Sequence, residues 1–313
     1  MSYPVPILFV IFNKQEETKR VFETIRFQKP TSLFIAADGP RVDKEGEIER
    51  CESVRSWVLN NIDWECEVKT KFRVDNIGCG RGPSEAISWF FEQVEEGIIL
   101  EDDCLPNASF FDYCKALLPK YREDSRISIL SANNFQPNQP LRLDGDYYFS
   151  VFPSTNGWAT WNRTWKDYDY FISKWNTIDK KEFLSYLFKE KKYQLWWKQM
   201  FDFVYKTKPE DMWDFQFHFH CMQRKQLAII PKVNLVTNIG YGADATHSSD
   251  PNNYFANFKM YELDFPLKHP TDVVRNEVAD LFIQQNLFGE SEIVSFLKKI
   301  KRYIKRSIRY KAN

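Results

Sequence analysis

Pro6-Ile-Leu-Phe-Val-Ile-Phe12 is an unbroken apolar run. A strand with one wet face alternates apolar and polar residues; a run without alternation suits a strand buried on both faces. Working outward, Thr18, Val21, Phe22 and Ile25 recur at the spacing of one helix face. Ser32 to Ala37 reads as a second buried strand, closed by the turn signal Asp38-Gly39-Pro40. A charged helical stretch follows over residues 43–60, and Glu67 to Val74 alternates as a third strand. Ile87, Phe90, Phe91 and Val94 mark another helix face, and Gly97-Ile-Ile-Leu100 is a short strand ending in Glu101-Asp102-Asp103. Phe110, Cys114, Leu117 and Tyr121 mark the next helix, with Asn107 or Ser109 as its cap, and Ile127 to Leu130 a further strand. This alternation with short connections predicts an α/β fold: a Rossmann-like, mostly parallel sheet flanked by helices. Such sheets take ligands at the carboxyl ends of their strands. Asn13, Asp38-Gly39 and the acidic triplet all fall at such ends.

The second half, from about Asp144, is less regular and more aromatic, with Trp158, Trp161, Trp165, Trp175, Trp196, Trp197 and Trp213. Residues 180–206 and 214–226 read as helices, the latter turning Phe215, Phe219 and Met222 inward. Ala228 to Val236 reads as a strand around Pro231.

Lys plus Arg and Asp plus Glu both number 43 in 313 residues, a balance unlike that of a nucleic-acid binder. Apolar residues make up 43%, enough for a sizeable core, which excludes disorder and fibrous classes. The six cysteines show no CxxC spacing, so the expectation is free thiols in a reducing compartment. No apolar run approaches a membrane span and the start has no basic signal-like segment, which predicts a soluble intracellular protein. Residues 291–313 hold eight basic residues and one acid, with Phe296, Leu297, Ile300, Tyr303, Ile304 and Ile308 on one stripe. That basic amphipathic helix suits an anionic membrane surface, the protein's own acidic remainder, or RNA.

Three adjacent carboxylates at a strand end repel one another unless a cation neutralises them, and oxygen donors of this kind suit Mn²⁺ or Mg²⁺. Strand alternation points Glu101 and Asp103 one way and Asp102 the other. The competing reading is a solvated acidic turn. Asp38 can accept hydrogen bonds from a base or ribose, or simply serve an Asp-Gly turn. In Asn76-Ile-Gly-Cys-Gly-Arg-Gly82, backbone amides and Arg81 could hold a diphosphate, or the glycines could make a flexible loop. The spacing matches neither a Walker loop nor the dinucleotide fingerprint. Asp214, after Trp213, is a candidate general base or a helix cap. His218 and His220 diverge on a helix and read as packing or surface residues. The loop Asn238-Ile-Gly-Tyr-Gly-Ala-Asp-Ala-Thr-His247 could close over a nucleotide, with His247 reaching a phosphate or metal, or be a plain connection. No Ser or Cys nucleophile context appears.

Taken in order, these motifs resemble the nucleotide-sugar glycosyltransferases of the GT-A fold, in particular bacterial relatives of N-acetylglucosaminyltransferase I. The likeness rests on Pro-Ile-Leu-Phe-Val-Ile-Phe-Asn13, Ala-Asp38-Gly and Ile-Ile-Leu-Glu101-Asp-Asp103. It continues through Pro106, Phe110-Phe111-Asp-Tyr113, Gly157-Trp-Ala-Thr-Trp161, Trp213-Asp214 and the loop ending in His247. The resemblance implies a nucleotide-sugar-binding half (1–143), an acceptor-binding half of the same domain (144–270) and a helical basic tail (271–313). It implies that Phe12, Asn13, Asp38, Gly39, Glu101 and Asp102 line a UDP-sugar donor site, to which the reading of the Gly-rich segment adds Arg81. Asp103 would be the ligand of Mn²⁺ (or Mg²⁺), with His247 a possible second. Asp214 would be the catalytic base, with inversion at the anomeric centre. Trp158 and Trp213 are expected to stack on sugar rings. The animal relative's N-terminal anchor, the Gly-rich segment and the tail have no counterpart in the likeness.

The function expected is metal-dependent, inverting transfer of a sugar to a hydroxyl of a glycan or lipid-linked acceptor at the inner face of a bacterial membrane. The rivals are a sugar-phosphate nucleotidyltransferase, which should carry a Gly-rich basic signature after the first strand, and a non-catalytic carbohydrate-binding protein.

Overall fold

The computed structural model describes residues 2–136, 143–240 and 258–288. The chain opens as expected: β1 (Ile7–Ile11), α1 (Gln15–Gln28), β2 (Ser32–Ala37), α2 (Glu47–Asn60), β3 (Glu67–Phe72), α3 (Gly78–Phe91) and β4 (Glu96–Glu101). A short β5 (Cys104–Pro106) precedes α4 (Ala108–Tyr121), capped by the Asn107 side chain on the Phe110 amide. Then come β6 (Ile127–Ser131), β7 (Tyr147–Ser150), β8 (Trp158–Trp161) and α5 (Asn162–Trp165). The remaining elements are α6 (Lys180–Leu187), α7 (Lys191–Thr207), α8 (Asp214–Gln223), β9 (Leu227–Pro231), β10 (Val236–Asn238) and α9 (Glu277–Leu287).

Eight strands form one sheet in the order β3-β2-β1-β4-β8-β6-β9-β7. β3, β2, β1 and β4 run parallel, and so do β6 and β9, while β8 and β7 run antiparallel to their neighbours. The fold is therefore α/β with a mostly parallel sheet. Because β8 reverses the direction once on each side, β6 and β9 point the same way as β1. Their carboxyl ends share one rim.

The unbroken apolar runs are explained by helices on both faces. Ile7, Phe9 and Ile11 of β1 pack with Leu33 and Ile35 under α1, α2 and α4, through Phe22, Val54 and Phe110. Leu8, Phe34 and Ala36 face the other way, against Phe90 of α3 and the Trp158, Trp165, Trp213 and Phe217 group. All four residues of the α1 stripe, Thr18, Val21, Phe22 and Ile25, are buried.

Two expectations change. The single strand from Ala228 to Val236 splits at Pro231, whose missing N–H ends the ladder; β9 stops there and β10 pairs instead with β5. The helix over residues 180–206 is two helices, α6 and α7.

All six cysteines are free thiols. Among the described residues no helix is long and apolar enough to cross a membrane. His247 and the basic tail from 296 onward lie outside the described residues.

Candidate functional site

A cleft of about 1360 Å³ opens at the carboxyl ends of β1, β2 and β4. Phe12, Asn13 and Lys14 after β1, Asp38 and Arg41 after β2, and the whole acidic triplet line it. The sheet thus brings together residues almost ninety positions apart in sequence, through the β1–β4 pairing.

β4 ends at Glu101, where the chain turns, and all three residues of the triplet line the cleft, Asp102 together with Glu101 and Asp103. The Asp102 Oδ2 accepts the Phe12 amide at 2.9 Å, which locks the end of β4 to the end of β1. Asp103 Oδ2 meets the Lys14 ammonium at 3.0 Å, with both side chains about a fifth exposed. The Ile239 amide donates to the Asp103 carbonyl at 2.8 Å, and a Cβ on Gly240 would collide with the Asp103 carboxylate. Only glycine lets the chain after β10 pass so close.

Burial, then the charges of Asp103 and Asp102, push the Glu101 carboxyl up to about 8. Burial, then Asp103, push Asp102 up to about 7. Burial alone would lower the Lys14 ammonium, but Asp103 and Asp102 outweigh it and hold it above its ordinary value. Fully ionised, the triplet would carry three negative charges against the single positive charge of Lys14, which is why its carboxyls hold their protons more tightly without a further cation, and its donors are hard oxygens. That is the chemistry a divalent cation fits. No ready-made cluster of three metal-ligating side chains exists among the described residues. The fit is to an ion held by one or two carboxylates and the bound ligand's own oxygens, the usual arrangement for Mg²⁺-type sites.

Asp38 lines the cleft, but its carboxylate already accepts the amides of Gly39 (3.0 Å), Ile77 (3.1 Å) and Gly78 (2.9 Å). It caps α3 from a neighbouring strand, satisfying amides that helix starts leave open. Burial nonetheless keeps its carboxyl above the ordinary value. Gly39 is not part of the cleft wall: an added Cβ would strike the backbone of Val74 and Asp75, so it serves close packing of the β2 and β3 loops.

Three expectations are corrected here. The Gly-rich segment is not a loop: Gly78 begins α3, and Gly80 donates to the Glu210 carbonyl at 3.0 Å. Arg81 is outside the cleft, its guanidinium 5.9 Å from the rings of Tyr170 and Phe171. Trp158 and Trp213 offer no face to a sugar. Trp158 is 0% and Trp213 6% exposed, and their rings lie against each other at 6.0 Å inside the core.

Asp214 is the first residue of α8, in its first turn, with Trp213 in the capping position. It does not line the cleft, yet its charge acts on Glu101 and Cys79, which do. His218 and His220 are packing residues as expected, bonded to the carbonyls of Asp214 (2.9 Å) and Thr164 (2.7 Å).

Sequence reasoning missed the cationic wall. Lys14, Arg41, Lys44, Arg50, Lys71 and Arg73 all line the cleft. Lys71 lies near the carboxyl end of β3 and Arg73 just follows it, so the rim rule could have found them. Residues 43–60 read only as a charged helical stretch, in which Glu47, 1% exposed, does not stand out.

No protein-family model matches the sequence, and none of the curated protein sequences does. Among solved structures, a mannosyltransferase of Pyrobaculum calidifontis in complex with GDP-Man and Mn²⁺ is 13% identical with a TM-score of 0.36. The match covers 53% of this chain and 47% of that one, so the chain spans about half its length. HddC from Yersinia pseudotuberculosis is 11% identical, with a TM-score of 0.32, over 52% of this chain and 80% of that one. Mouse xyloside xylosyltransferase 1, in its apo form, is 11% identical, with a TM-score of 0.35, over 73% and 84%.

Proposed function

We propose that the protein is a metal-dependent, inverting glycosyltransferase that takes its sugar from a UDP-sugar. The observation that carries the reading is one cleft lined both by the acidic triplet and by Lys14, Arg41, Lys44, Arg50, Lys71 and Arg73. A nucleotide diphosphate needs both: cations for its oxygens and carboxylates for the metal it brings. Asp103 would hold that metal, with Asp102 behind it fixed on the Phe12 amide. When bound, a divalent cation stabilises charge on the leaving diphosphate. Lys14, freed from Asp103, then faces the phosphates, and Glu101 meets ribose or sugar hydroxyls. Asp38 holds α3 in place against the base side of the cleft.

Asp214 is the proposed base, a carboxylate at the start of α8 near enough for its charge to act on Glu101. It takes the proton from the acceptor hydroxyl as the new bond forms. The acceptor proposed is a glycan or lipid-linked sugar, brought to an anionic membrane face by the basic tail.

The β1–α1 connection, Phe12 to Lys14, contains no glycine, which disfavours the nucleotidyltransferase reading. The test is incubation of the protein and Mn²⁺ with a panel of nucleotide sugars and acceptors. UDP release supports transfer; pyrophosphate release from UTP and a sugar 1-phosphate in a parallel incubation, or no metal-dependent turnover of any donor, defeats it. In the same assay Asp214→Asn should keep donor binding and lose transfer.

A further inference from the structure

Glu47 is a carboxylate with almost no access to water, placed where α2 begins. It ties two loops of the cleft together. Its Oε1 accepts Asn13 Nδ2 at 2.9 Å, from the loop after β1. Its Oε2 accepts the Arg41 amide at 2.7 Å and the Arg41 Nε at 2.9 Å, and Arg41 Nη2 pairs with Oε1. The Arg41 guanidinium also lies over the Phe12 ring, 5.5 Å from its centroid. A flexible side chain is thereby held on one edge by a fork of hydrogen bonds and on one face by an aromatic ring.

That arrangement leaves an edge over. A guanidinium carries five N–H donors in a rigid plane. Glu47 engages Nε and Nη2, while Nη1 has no partner among the described residues. Arg41 lines the cleft with its side chain 43% exposed, and Lys44 and Arg50 line the same cleft. A buried carboxylate that does no more than neutralise an arginine has no need to orient it through three separate contacts. Orientation matters for a planar fork that must meet two oxygens at once, as in arginine–phosphate pairs.

We infer that Arg41 binds a phosphoryl group of the nucleotide in this cleft, and that Glu47, with Phe12, is the positioning residue that aims it. The inference rests on the nucleotide reading above but names a contact that reading does not require. The ligand chemistry is a pair of phosphoryl oxygens, not the nucleobase.

The test measures binding of UDP, GDP and the matching nucleosides by calorimetry, with Mn²⁺ present, using whichever diphosphate the wild type prefers. Arg41→Met should weaken the diphosphate at least tenfold and leave the nucleoside within twofold. Glu47→Gln should cause most of the same loss with the same nucleoside insensitivity, which a merely structural role would not produce. The double variant Arg41→Met/Glu47→Gln should lose no more than Arg41→Met alone, because Glu47 acts through Arg41. Arg41 is exposed, so its variant tests the contact even if Glu47→Gln folds poorly. Equal losses for nucleoside and diphosphate would move the contact to the base and overturn the assignment, as would wild-type affinity in Arg41→Met. An additive double variant would remove Glu47 as the positioner. A wild-type protein that binds neither diphosphate would overturn the nucleotide reading itself.

Discussion

The cleft at the ends of β1, β2 and β4 and the aromatic layer against β8 belong to adjacent strands of one sheet, yet they are built by opposite rules. In the cleft, charge is answered by charge across loops: Lys14 by Asp103, Arg41 by Glu47, and the Asp102 carboxylate by a backbone amide. In the aromatic layer nothing is left for a ligand. Trp158, Trp165, Trp213 and Phe217 lie ring against ring, away from water. Among the described residues this aromatic group is a matter of packing, while the charged side chains gather at the rim.

The largest effect should come from the cleft. Asp103→Asn should abolish metal-dependent nucleotide binding and lower transfer by at least a hundredfold, about 2.7 kcal/mol of transition-state stabilisation. Its thermal midpoint should stay near wild type. A variant that binds nucleotide and Mn²⁺ normally would erase the contrast.

Trp158→Ala should do the reverse, costing about 3–5 kcal/mol of stability in urea unfolding, as removal of buried aromatics does. Nucleotide affinity of the folded protein should be kept. Little loss of stability combined with loss of sugar binding would restore the stacking role.

The same layer should be sensitive to acid. Burial holds the His220 imidazole down to about 4, against an ordinary 6.5. The folded value lies below the unfolded one, so His220 favours the fold fully above pH 6.5 and loses that contribution as pH falls toward 4. His220→Gln, which can still donate to Thr164, should flatten this acid limb by at most about 3 kcal/mol. An unchanged profile of stability against pH would show that the ring is not what titrates.

The smallest effect is assigned to Arg81. Arg81→Ala should leave nucleotide affinity within about twofold, the range of ordinary surface changes. A tenfold loss would return it to the cleft.

How much of this was legible depends on the kind of signal. The two-faced runs at Ile7 and Ser32 could only be central strands, and the stripe from Thr18 to Ile25 could only be a helix face. Those elements were therefore readable from periodicity. β5, β7, β8 and β10 are three or four residues long and take their pairing from distant partners, so no local pattern marks them. The triplet was visible because three acids at a strand end are chemically costly. Arg41 and Glu47 were not, because a charged residue near a helix start looks the same whether it faces water or a cleft. Trp158 and Trp213 misled for the related reason that a tryptophan's sequence neighbours do not say which side of the sheet it enters.

The account's central claim is that the acidic triplet and the cationic wall jointly hold a nucleotide diphosphate and its metal. A crystal structure with UDP and Mn²⁺ tests this most directly. The account predicts the ion on Asp103, Lys14 moved off that carboxylate, and the diphosphate between the ion and the Lys14–Arg41 wall. Nucleotide bound elsewhere, or bound with the Lys14–Asp103 pair intact and no metal beside it, would contradict it.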